Sequence, residues 1–156
     1  MQVQARWTSG MRFEGTNADG LSVTMDAHPE HGGAGGGPAP METLLLALAG
    51  CTGADVVSIL RKMRAPLDRF TIEVHADRAA EHPRVLTAIH LRYDAAGRGL
   101  QPDQVKKAVA LSQEKYCSVS AMLRRATPIT YDVVVTDTSA GSEGARAHAP
   151  AAGQAG

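Results

Sequence analysis

Two cysteines carry the thiol chemistry open to this chain. Cys51 stands in "TLLLALAGCTGADVVSIL" (43–60), flanked by Gly50 and Gly53, and Cys117 stands in "EKYCSVSAML" (114–123). Read from the residues alone, the two thiols admit packing, metal binding, a disulfide or redox chemistry. Free cysteine is among the most buried residue types, which favours packing for Cys51. Gly50 and Gly53 are poor helix formers, costing about 1 kcal/mol each relative to Ala, and they suit a turn that another backbone or a ligand approaches closely. Asp55, four residues on, shares the helical face of Cys51 and opposes a thiolate there. A reactive Cys51 therefore needs a cation from elsewhere in the fold. Cys117 precedes a helix start at Ser118, where free N–H groups favour a thiolate.

The elements that must position these thiols follow from periodicity and turn residues. Segments 2–7, 11–18 and 21–27 alternate and are separated by "SG" and "ADG", a meander of three antiparallel strands. "HPEHGGAGGGPAP" (28–40) reads as a flexible linker. Pro40 and Glu42 open a helix running to about Arg64 and ended by Pro66. "RFTIEVHADR" (69–78) and "RVLTAIHLRYDA" (84–95) form a strand pair, the second with Val85, Thr87, Ile89, Leu91 and Tyr93 on one face. Segment 100–116 is an amphipathic helix with Val105, Val109, Ser112 and Tyr116 at helical spacing. Ser118 caps a short helix stopped before Pro128, and "ITYDVVVT" (129–136) is the last strand. The order is βββ–α–ββ–αα–β, an α+β fold. Residues 1–137 make one domain, and from residue 138 the Ala/Gly-rich sequence reads as a disordered tail.

The composition closes off several functions. Sixteen basic residues balance sixteen acidic ones in 156, so the electrostatic footprint of a nucleic-acid binder is missing. Between Glu42 and Asp55 lie only twelve uncharged residues, against the ~18 or more of a membrane span. The start lacks a signal-peptide pattern, which makes the cytoplasm the expected compartment and a permanent disulfide unexpected. The glycine-rich stretch carries "GPAP" where a phosphate-binding loop needs Lys followed by Ser or Thr. His28, Glu30 and His31 lack partners at metal-ligand spacing, and His75 and His90 read as ordinary strand histidines. The helix over 40–64 is apolar on every side and must be covered on every side, which predicts a homodimer.

"PAPMETLLLALAGCTGADVVSILRKMR" followed by "LSQEKYCSVSAMLRRATPITY" resembles the OsmC/Ohr superfamily of osmotically inducible and organic-hydroperoxide-resistance proteins, in its YhfA-like branch. The resemblance covers roughly residues 1–137 and implies an intertwined homodimer around two long central helices, with a thiol pair at each interface site. It assigns Cys51 as the peroxidatic cysteine and Cys117 as the resolving cysteine. It implies no flavin, haem or metal, and recycling by a dithiol or a lipoylated protein. The family's activating glutamate follows the proline, where Met41 stands here. Glu42 comes one residue later, roughly half a turn from Cys51 on a continuous helix. Arg12, near the first hairpin with Arg6, is the candidate for the activating arginine. The expected activity is reduction of organic hydroperoxides in stress defence. A non-enzymatic dimer binding a small apolar ligand, its cysteines inert, is the alternative.

Overall fold

A computed structural model describes residues 1–140. Two three-stranded sheets and three α-helices follow in the expected order: β1 (Val3–Ser9), β2 (Arg12–Asn17), β3 (Ser22–Met25), α1 (Pro40–Lys62), β4 (Arg69–Arg78), β5 (Leu86–Gly97), α2 (Pro102–Leu111), α3 (Ser118–Leu123) and β6 (Ile129–Asp137). The first sheet is the antiparallel meander β1-β2-β3. In the second, β5 lies between β4, which is antiparallel to it, and β6, which is parallel. The parallel pairing requires a crossover, and α2 and α3 supply it between β5 and β6. Of the tail expected from residue 138, Thr138–Ala140 form a 3₁₀ turn, with the Ser139 amide donating to Asp137. The rest of that segment lies outside the described residues.

The core forms where α1 and α2 lie on the second sheet. Leu48, Thr52, Val56 and Leu60, one residue per turn, are the buried stripe of α1. They meet Ile89, Leu91 and Tyr93 of β5 and Val105, Ala108 and Val109 of α2 in one cluster. Although α1 is long and apolar enough by composition to cross a membrane, here it is the core helix of a globular domain. Its other sides are not covered by the described residues: Leu46 is 60% exposed, and grooves run beside Leu45 and Ala49 and beside Gly53 and Val57. The meander likewise makes only sparse contact with the rest of the described chain, leaving Trp7, Phe13 and Val23 exposed.

Three local readings are corrected. The β4–β5 register shifts at Asp77/Arg78, so Leu86 turns inward and Val85 and Thr87 face out. The second helix is not continuous, because Ser112–Tyr116 form a π turn. A π turn carries an extra residue per turn, so Tyr116 is swung out, 50% exposed, and Cys117 takes the interior position at 2%. The glycine-rich stretch is folded rather than a free linker. Its Ala34 and Gly36 amides donate to buried Asp26, and a Cβ on Gly36 would lie 2.0 Å from an Arg12 nitrogen.

Candidate active site

The two thiols meet on opposite sides of a helix–helix contact. Cys51 comes from the middle of α1 and Cys117 from the end of the π turn, immediately before α3. With Asp55, one helical turn beyond Cys51, they form a cluster whose ligand atoms all lie within 4.8 Å of one another. Cys51 and Asp55 are half-buried and Cys117 is buried. Both cysteines are free thiols. A recess of about 310 Å3 lined by Asp55, Ser58, Ile59, Lys62, Leu111 and Tyr116 opens beside the cluster.

Cys117 itself, and not Ser118, caps α3: its Sγ accepts the Ser120 amide N–H at 3.4 Å. The expected thiolate-favouring effect of that helix start is present but outweighed. Burial pushes the Cys117 thiol up from its ordinary value, the hydrogen bonds from Ser120 oppose this, and nearby Cys51 adds to the rise.

Behind the thiols runs a polar chain whose direction is determined by its ends. Arg124 donates to the Gln113 side-chain oxygen at 2.9 Å, which orients that amide so that Nε2 donates to the Tyr93 hydroxyl at 2.7 Å. At the far end the Asp55 carboxylate can only accept, so Ser112 donates to it at 3.0 Å. A hydroxyl has one proton; Thr52 therefore donates to Ser112 at 2.9 Å, and Tyr93 donates to Thr52 at 2.8 Å. Burial raises the Tyr93 pKa against its bonds to Thr52 and Gln113, which keeps the phenol protonated and able to donate. Its ring is held by stacking on Phe70 and an edge contact with Tyr131. The chain thus links the Arg124 guanidinium to the Asp55 carboxylate through four neutral groups.

Arg12 and Glu42 are not brought to the thiols within this chain. Arg12 donates to Asp26 at 3.4 Å under the glycine-rich loop, and its Nε is buried without a partner among the described residues. Glu42 closes a capping box, accepting the Ala39 amide N–H at 2.7 Å, and pairs with His28 at 3.1 Å. Those contacts, the Ala39 amide first and His28 next, hold its carboxyl below the ordinary value. Arg6 pairs with Glu14 on the exposed meander. The polar chain was not legible beforehand, apart from Ser112 and Tyr93 as inward positions. The one available signal was Thr52, a hydroxyl next to Cys51 in the middle of a largely apolar helix.

A fold of two three-stranded sheets around one long apolar helix, with a cysteine from that helix facing a cysteine at a later helix start, defines a class. The OsmC-like protein family model matches residues 31–132, and the chain belongs to that family. Protein YhfA of Escherichia coli strain K12 is 42% identical over 136 residues, covering 86% of this chain and 98% of the relative. A crystal structure of a hypothetical protein from Aquifex aeolicus is 30% identical with a TM-score of 0.72, covering 87% of this chain and 97% of that one. A Legionella pneumophila structure described as an organic hydroperoxide resistance protein OsmC superposes with a TM-score of 0.63 at 19% identity, covering 86% and 98%. At that identity the likeness is one of fold.

Proposed function

We propose that this chain is a thiol-dependent reductase of organic hydroperoxides, with Cys51 as the attacking thiol and Cys117 as the resolving one. The observation that carries the proposal is the approach of the two sulfurs, within 4.8 Å, from elements far apart in sequence. An S–S bond of ~2.05 Å then needs the sulfurs to close by at most about 2.7 Å. Cys117 sits on a π turn at the start of a six-residue helix, and such turns recur at functional sites. The Cys51 thiolate attacks one peroxide oxygen of ROOH, breaking the O–O bond. This releases ROH once the alkoxide is protonated and leaves a sulfenic acid. Cys117 condenses with the sulfenic acid, expelling water and forming the disulfide, and an external dithiol or lipoylated protein reopens it by exchange. Apolar side chains beside the thiols, such as Ile59 and Leu111 in the recess at Asp55, favour alkyl substrates by ~0.8 kcal/mol per buried methylene.

The working unit in this reading is a cytoplasmic homodimer. A second copy covers the open sides of α1 and the meander, and offers Arg12 and Glu42 a route to the partner's thiols. Two observations favour the non-enzymatic alternative: burial raises Cys117, and within the chain Arg12 and Glu42 are engaged elsewhere. Titrating free thiols before and after one equivalent of an organic hydroperoxide separates the two. Rapid loss of two thiols per chain supports the enzyme; full retention of both supports an inert ligand-binding dimer.

A further inference from the structure

We propose that the reduced thiol pair and Asp55 form a binding site for a divalent zinc-like ion. This rests on the cluster itself and not on peroxide chemistry. Two sulfurs and one carboxylate oxygen converge within 4.8 Å. In a tetrahedral zinc site, with Zn–S ~2.3 Å and Zn–O ~2.0 Å, donor atoms lie about 3.4–3.8 Å apart. The set therefore needs to draw in by only about 1 Å. Thiolate with carboxylate is a donor set for zinc and cobalt rather than for magnesium or calcium.

Two further observations favour a ligand set over accidental proximity. Cys51 and Asp55 project from successive turns of α1, so their spacing is held by a continuous helix. Asp55 is in turn oriented by the Ser112 hydroxyl, the end of the buried chain from Arg124. Hydrogen-bonded support of this kind behind a ligating carboxylate is what metal sites use to hold their ligands. The recess at Leu111 and Tyr116 reaches the Asp55 side of the cluster, and a tetrahedral ion held by three ligands keeps a fourth position for water or another small ligand. Binding releases two thiol protons as two metal–sulfur bonds form. The ion and a Cys51–Cys117 disulfide exclude each other, since both use the same sulfurs.

The test is anaerobic titration of the reduced full-length protein with cobalt(II). One ion per chain should bind with a thiolate-to-cobalt charge-transfer band in the near ultraviolet, and the band should be lost in both Cys51→Ser and Cys117→Ser. Ser112→Ala should keep the band and weaken affinity about 10–100-fold, as loss of outer-sphere support does. Ions held by surface pairs such as His28 with Glu42 give no such band. Absence of the band at millimolar cobalt, or its survival in either serine variant, overturns the site. Should a serine variant fail to fold, alkylation of the wild-type thiols decides the matter. Saturating zinc should slow it at least about tenfold, and an unchanged rate overturns the proposal.

Discussion

Replacing Thr52 by valine tests the buried polar chain, because valine keeps the shape and removes only the hydroxyl. Thr52 is wholly buried and is the acceptor for Tyr93 at 2.8 Å and for Gln113 at 3.3 Å, as well as the donor to Ser112. Without it the Tyr93 O–H and one Gln113 N–H lose their acceptors, whereas Ser112 still donates to Asp55 and loses only an incoming bond. A buried donor left unpaired costs about 1–3 kcal/mol. Two of them, less roughly 0.8 kcal/mol for the added apolar carbon, give a net loss of about 1–5 kcal/mol. Thr52→Ser is the control: it keeps the hydroxyl and loses one methyl, at about 1 kcal/mol. Urea unfolding at one fixed protein concentration, with fitted slopes compared, reads both variants. Thr52→Val should be the less stable of the two. If it equals wild type or exceeds Thr52→Ser in stability, the directed chain from Arg124 to Asp55 is wrong.

Cys117→Ser should react once with hydroperoxide and stop at a trappable sulfenic acid on Cys51, whereas Cys51→Ser should give none. Mass spectrometry of the trapped adduct reads this, and an adduct on Cys117 would reverse the roles. Gly50→Ala meets nothing within 4 Å among the described residues, so helix propensity alone would stabilise it by about 1 kcal/mol. With a second copy packed there it should instead weaken the dimer in sedimentation; a plain gain in stability refutes that packing. Gly97→Ala should lose about 1–3 kcal/mol or more through overpacking, since its Cβ would lie 1.7 Å from the Pro66 carbonyl oxygen; a melting temperature equal to wild type would contradict this. The Asp26 carboxyl is held below its ordinary value by the Gly36 amide first, against burial, then by the Ala27 and Ala34 amides and Arg12. Its stabilisation is therefore complete above the unfolded carboxylate value of ~3.9 and is lost as pH falls through the lower folded value. Thermal melts of wild type and Asp26→Asn should converge in strong acid and separate toward neutrality; a constant gap would refute the assignment.

Local pattern was enough for the element order, because strand alternation, helix periodicity and the prolines at 40, 66 and 128 act over a few residues. It was also enough to place Asp55 one turn from Cys51, since α1 is continuous through both. It misjudged 112–117, where the period of a plain α-helix puts Tyr116 inside and the π turn puts Cys117 there. A single added residue in a turn leaves no mark in hydropathy. Which groups converge was decided only by the packing of α1 against α2, the π turn and β5. Thr52, Tyr93 and the adjacent Ser112 and Gln113 come from three separate stretches of chain, and each has an unremarkable local context. The burial that raises Cys117 has the same origin. Hydrogen bonds and desolvation depend on neighbours in space, and those neighbours exist only once the helix has been laid on the sheet.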